Sequence, residues 1–192
     1  MRHALLLVLL LFLLGCSKPD TIRYRMSDNS TLSNEIQIKN NEVTNMTPLK
    51  ITSPSFNNNE LIPAKYTCEG LDINPEIDIA NIPKEAKTLA LIVDDPDAPM
   101  GTWDHWIVFN ISPSAVIKED SIPGVEAINS FRKNHYGGPC PPSGTHRYFF
   151  KVYALNTSLP LSSKVNKQDM EKAMQGHIIA QGELVGLYRK RS

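Results

Sequence analysis

Three short clusters carry side chains whose types and spacing suit chemistry. The first is Asp94-Asp95-Pro96-Asp97-Ala98-Pro99, carboxylates stiffened by prolines that fix the backbone. Read alone, acids at the end of an apolar run form turns more often than sites. The second is Trp103-Asp104-His105-Trp106, where strand alternation puts Trp103, His105, Ile107 and Phe109 on one face. A lone histidine among aromatics is more often a satisfied core residue than a functional one. The third runs from Tyr136-Gly137-Gly138-Pro139-Cys140-Pro141-Pro142 through Gly144-Thr145-His146-Arg147-Tyr148. Its glycines admit a close approach to the backbone. His146 and Tyr148 are i and i+2 on a starting strand, so they share a face about 7 Å apart. A histidine and a tyrosine donating toward one point, beside glycine amides, make an anion site without a bound metal.

Other chemistries fit these residues less well. Asp and His in a cleft can form a general acid–base pair, and Ser143 precedes His146 closely. The chain has no G-x-S-x-G elbow, however, and Ser143 sits among prolines and glycines. A zinc hydrolase built on His105, His146 and Asp95 lacks a close pair such as H-x-x-x-H. The expectation is a binding module and not an enzyme, with no metal and no cofactor. A protein-interaction role on the same rim, as a protease inhibitor or signalling regulator, is the alternative, because fold does not decide function.

These clusters need strands to position them. In 192 residues, Lys+Arg and Asp+Glu balance at 20 each, so charge gives no case for nucleic acid. Fourteen prolines and ten glycines point to many turns and more strand than helix. Leu49–Ser53 and Glu76–Ile82 alternate as strands, the latter with Ile77 and Ile79 on one face. Lys87–Val93 is nearly continuous apolar, as in a strand buried on both faces. Trp103–Ile111, Arg147–Leu155 and Glu183–Arg189 complete the strands. The long connection Ser112–Gly144 has the length of a functional loop. One helix is expected, with Asn166 as N-cap, Asp169 closing a capping box, and a stripe of Met170, Ala173, Met174, His177 and Ile178.

The N-terminus reads as an export signal. Arg2 precedes the apolar run Ala4–Leu14, too short to span a bilayer as a helix. Leu13-Leu14-Gly15-Cys16 resembles a bacterial lipobox, which implies cleavage before Cys16 and lipidation of its sulfur. Residues 1–15 are then a leader and residues 16–47 a polar tether, in which Glu35–Lys39 alternates briefly. Residues 48–192 form the domain. Ser17, in place of Asp, favours the outer membrane of a Gram-negative envelope, facing the periplasm. In an exported chain, Cys68 and Cys140 suit a disulfide; two free, buried thiols are the other possibility.

Several motifs recur in a known order. Asp95-Pro96-Asp97-Ala98-Pro99, then Trp103-Asp104-His105, then Gly138-Pro139 with Gly144-Thr145-His146-Arg147-Tyr148, resemble the signature of the phosphatidylethanolamine-binding proteins. Tyr66-Thr67-Cys68-Glu69-Gly70, Gly137–Pro142 and His177–Leu184 resemble the bacterial Raf-kinase-inhibitor-like branch. The resemblance implies a mostly-β sandwich: a large central antiparallel sheet, a smaller second sheet, and a surface pocket for phosphate-like groups. Asp95, Asp97, His105, Gly138, Pro139, His146 and Tyr148 would line that pocket, with Trp103 as an apolar wall. Asp95 and Asp97 would orient the two imidazoles and favour their protonated forms. The implied partner is a small phosphate- or carboxylate-bearing ligand, with a membrane reached through the lipid anchor. The segment between Met100 and Trp103 is shorter than in eukaryotic members, so kinase regulation does not transfer. The short tail after Gly186 lacks the extra C-terminal helix of mammalian relatives.

Overall fold

The computed structural model describes residues 48–190. The expected leader, the lipobox Cys16, the tether and the Glu35–Lys39 segment lie outside the described residues. In chain order the elements are β1 (Lys50–Thr52), β2 (Glu60–Leu61), a 3-10 turn (Ala64–Tyr66), β3 (Ile77–Ala80), β4 (Thr88–Asp95), β5 (Trp103–Ile111), β6 (Val116–Ile117), β7 (Val125–Glu126), β8 (Thr145–Leu155), α1 (Lys167–Met174) and β9 (Ile178–Arg189). Six strands form a large sheet in the order β2-β9-β8-β4-β5-β7, and β1-β3-β6 form a small one. The architecture is the mostly-β fold expected, with a large sheet, a smaller second sheet and one helix near the C-terminus. Every pair is antiparallel except the edge pair β2–β9, which is parallel. Among the described residues no helix is long and apolar enough to cross a membrane.

β4 explains the layering. All eight of its residues are buried. Leu89, Leu91 and Val93 point into the core shared with Ile51, Ile77 and Ile79 of the small sheet. Ala90 and Ile92 point the other way, toward Met170 and Met174 of α1. Between its polar ends, the strand has an apolar layer on each side and so an unbroken apolar run from Leu89 to Val93.

Three local expectations change. The capping box forms: the Asn166 side chain accepts from the Asp169 amide, and the Asp169 carboxylate accepts from the Asn166 amide. Yet α1 stops at Met174, because Gln175 leaves the helical dihedrals with ψ 128° and Gly176, at φ +77°, completes a turn in which the His177 amide donates to the Met174 carbonyl. His177 and Ile178 therefore leave the expected stripe, and Ile178 opens β9. β9 itself starts five residues before Glu183, with Gln181, Gly182 and Glu183 inside it. Those polar residues hide the strand period. Gly182 meets β1 so closely that a Cβ there would lie 2.2 Å from the Leu49 carbonyl oxygen.

The third change bears on the site. The β4–β5 register slips between Val93↔Trp106 and Asp94↔Asp104, leaving His105 as an extra residue in β5. Such a bulge re-aims side chains. Ile107 and Phe109 face α1, while Trp103 and His105 line a cleft beside Tyr148, whose ring belongs to the core between the sheets. The four residues expected on one face are thus divided between two.

Candidate functional site

Where β4, β5 and β8 end together, they enclose a cleft of about 330 Å3. Its floor is polar and buried: Asp95, His105, His146 and Tyr148. Its rim is apolar, built from Ala98, Pro99, Met100, Trp103, Phe131, Pro141 and Pro142, and Met100 is 96% exposed.

Strand alternation sends Asp94 and Asp95 to opposite faces. Asp95 enters the cleft, where it is 3% exposed. Its Oδ1 accepts the Asp97 amide at 2.8 Å and its Oδ2 accepts His146 Nδ1 at 2.7 Å. The carboxylate is held on both oxygens, and it fixes the imidazole in turn. In β8, His146 and Tyr148 are buried while Thr145 and Arg147 are exposed, so the i, i+2 pair does share the inward face. The Tyr148 hydroxyl is buried and makes no hydrogen bond of normal geometry among the described residues, although the Cys140 backbone and the Asp95 carboxylate lie close enough to act on its ionisation. Burial, then the negative charge of Asp95, pushes its ionisation far up, so it remains a neutral donor.

The bulge residue His105 is locked from behind. Its Nδ1 lies 2.6 Å from the Gly137 carbonyl and must carry the proton, because a carbonyl only accepts. The Gly137 amide returns a bond to the His105 carbonyl at 3.1 Å, and Asn129 Nδ2 donates to that same carbonyl at 3.0 Å. The ring packs edge-on against Tyr148 at 5.2 Å and Phe131 at 5.4 Å. Burial lowers its pKa, and this outweighs the opposing pull of the Gly137 carbonyl and Asp95. The expectation that carboxylates hold both imidazoles protonated therefore fails for His105: its partner is a carbonyl, and desolvation favours the neutral ring.

Other sequence-expected residues stand elsewhere. Asp97 does not touch either imidazole. It accepts from the Arg147 amide, Nε and Nη2 at 3.0, 2.9 and 2.7 Å, and this pairing lowers its pKa to about 2. Gly138 and Pro139 are not among the lining residues. The Gly138 amide, expected to face a ligand, donates instead to Asp72 Oδ1 at 2.6 Å. A Cβ on Gly138 would lie 2.5 Å from the Tyr66 carbonyl oxygen, so the close approach this glycine permits is to the protein's own backbone. Pro139 accepts the Cys68 amide at 3.2 Å. Cys68 and Cys140 are joined by a disulfide with Cα atoms 5.5 Å apart, and Cys140 lines the cleft. Ser143 is exposed and does not line it.

Sequence reasoning missed Phe131. Its ring meets Trp103 edge-on at 5.4 Å and extends the wall that Trp103 begins. The Asn129 side chain accepts from the Phe131 and Lys133 amides, an Asx-type turn that presents the ring. The only signal for it was an aromatic inside a polar loop.

Comparison with known proteins now bears on this arrangement. The family profile described as phosphatidylethanolamine-binding protein matches residues 52–189. The chain belongs to the phosphatidylethanolamine-binding protein family. The UPF0098 protein PH1269 of Pyrococcus horikoshii is 50% identical over 155 residues, covering 74% of this chain and 77% of that one. Among solved structures, a phosphatidylethanolamine-binding-protein homolog, CT736, from Chlamydia trachomatis superposes with a TM-score of 0.73 at 41% identity, over 75% of this chain and 99% of its own. YbcL of E. coli, described as a member of the mammalian PEBP family, gives 0.70 at 28% identity, over 76% and 100%. In this family member, the Asp-Pro-Asp, Trp-Asp-His and His-Arg-Tyr motifs converge on one cleft, although Asp97 and the Gly138-Pro139 pair serve its frame.

Proposed function

We propose that this chain is a binding protein, not an enzyme, for a small ligand bearing a phosphate or similar anionic group, held at the bacterial envelope by a lipid on Cys16. The observation that carries the reading is the floor of the cleft. Two buried imidazoles each have Nδ1 committed, His146 to Asp95 and His105 to Gly137, beside a Tyr148 hydroxyl that makes no hydrogen bond of normal geometry among the described residues. An unsatisfied buried hydroxyl costs about 1–3 kcal/mol and invites an acceptor. An anion supplies one. It also draws protons onto the imidazoles, turning Nε2 of each into a donor. Asp95 compensates the charge that His146 acquires. The apolar rim suits a ligand with an uncharged portion beside its charged head.

Two measurements test this. Calorimetric titration with glycerol phosphate should show binding that strengthens as pH falls toward the histidine range, with His146→Ala weakening it tenfold or more, the loss of one charge-assisted donor. Equal binding by His146→Ala overturns the pocket assignment. For the anchor, the mature protein should partition into detergent and Cys16→Ser should remain aqueous or unprocessed. Aqueous partitioning of the native protein overturns it.

A further inference from the structure

The Cys68–Cys140 bridge stands at the edge of the cleft and is not part of the core. Both bridged residues, Cys68 and Cys140, are exposed at the surface. Cys140, Pro141 and Pro142 form one wall of the cleft. How that wall is held is unusual. Up to Pro139 the segment is well tied: Gly137 bonds both ways with His105, the Gly138 amide reaches Asp72, and Pro139 accepts the Cys68 amide. From Pro141 to Gly144 no group hydrogen-bonds to another described residue. Two of these four residues are prolines, which have no N–H to offer. The next fixed point is Thr145, where β8 pairs with Arg189 of β9. Apart from the packing of the buried Pro141, the wall is therefore held only by the disulfide and by the start of the strand that carries His146 and Tyr148.

We propose that the bridge is a redox gate on the cleft: oxidised, it holds the Cys140–Pro142 wall in the ligand-binding position; reduced by a dithiol, it releases the wall while the sheet stays folded. A thiolate of the dithiol attacks one sulfur of the bridge and forms a mixed disulfide. The dithiol's second thiolate then displaces the protein from that mixed disulfide and leaves as the oxidised cyclic or intramolecular disulfide. Two electrons and two protons end on the protein as the thiols of Cys68 and Cys140. The core has no part in the exchange. β4, β5, β8 and β9 are paired along their lengths, and their apolar layers contain neither cysteine. The gate's effect on affinity rests on the anion-binding reading; its effect on the wall does not.

The test compares the full chain in its oxidised form, the same chain treated with dithiothreitol, and the Cys68→Ser/Cys140→Ser double variant. Hydrogen exchange is followed by peptide, and inorganic phosphate is titrated calorimetrically. In the reduced chain and in the variant, exchange should rise at residues 68 and 137–144 while β4 and β8 keep their protection. Phosphate affinity should fall about tenfold, the scale of one misplaced hydrogen bond, and reoxidation should restore it in the wild type alone. Unchanged exchange at 137–144 overturns the gate. So does measurable phosphate binding of equal affinity in the two redox states, or loss of protection in β4 and β8 together with the loop, which would make the bridge a staple of the whole domain. If exchange rises as expected and the oxidised chain binds no phosphate, the gate stands and the anion-binding reading falls.

Discussion

Asp94 and Asp95 are adjacent in sequence, both buried, and opposite in circumstance. Asp94 faces α1. Lys151 Nζ donates to both its oxygens at 2.8 Å, and Lys167 Nζ lies 3.2 Å from Oδ2 while bonding Asp104 at 2.8 Å. Two acids meet two bases, and both oxygens of Asp94 are taken by ammonium groups of the protein itself. Lys167 is driven down by burial yet ends with a raised pKa, through its bonds to Asp104 and Asp94. Asp95 faces the cleft and is also held, by the Asp97 amide and by His146, but His146 keeps a second ring nitrogen, and the Tyr148 hydroxyl beside it makes no hydrogen bond of normal geometry among the described residues. Burial of charge is thus no guide to function by itself. What separates the two sides is whether the partners are used up.

The largest effect expected from breaking this contrast is on the closed side. Asp94→Asn strands the Lys151 ammonium and leaves Lys167 to Asp104 alone, so unfolding free energy by urea titration should drop by about 2–4 kcal/mol, with phosphate affinity nearly unchanged. A comparable loss of affinity would show that the two faces are coupled. On the open side the order reverses: His146→Ala should weaken phosphate by tenfold or more while costing less stability than Asp94→Asn. Tyr148→Phe sharpens the point. It removes a buried hydroxyl with no hydrogen bond of normal geometry, so the unliganded protein should become more stable, by up to about 1 kcal/mol, while binding weakens several-fold. A loss of stability in Tyr148→Phe would reveal an internal partner for the hydroxyl.

The next effect is a pH slope. Burial lowers the His105 pKa in the folded state, so the unfolded chain takes up its proton first. Stability of the unliganded protein should be full above about pH 6.5, the ordinary histidine value, and decline as pH falls below it. Ligand affinity should rise over the same range, because the anion favours the charged rings. His105→Gln should flatten the stability slope. The smallest effect belongs to the rim. Asp97 titrates near 2 because of Arg147, so its contribution is present above the ordinary carboxylate pKa and is lost as pH falls toward 2. Arg147 is half exposed, and Asp97→Asn at neutral pH should cost less than about 1 kcal/mol in denaturant titration.

Much of the fold was legible in the chain because strand periods and capping chemistry are local. The nearly continuous apolar run at Lys87–Val93 announced a strand buried on both faces, and β4 is one. Trp103–Ile111 matches β5 at both ends, and Asn166 caps α1 through Asp169 as its type and spacing require. The failures were places where a distant contact overrules the local rule. The polar residues of β9 conceal a strand because Gly182 must let β1 pass close by. The face of His105 could not be read because a bulge is a misfit between two strands, and one strand's residues do not contain it.

The same division runs through the site. Residue chemistry alone was enough to bring forward His146 and Tyr148, since few side chains can donate to an anion, whereas Asp95 and His105 came forward only through the resemblance of the ordered motifs to the family's signature. Which valences remain open was decided only by the tertiary structure. Asp97 goes to Arg147, the Gly138 amide to Asp72 and His105 Nδ1 to a carbonyl 32 residues away, while the Tyr148 hydroxyl makes no hydrogen bond of normal geometry among the described residues. A sequence states what each group can bond to. Only the packed chain, by placing partners within 3 Å and excluding water, settles which of those bonds are already made.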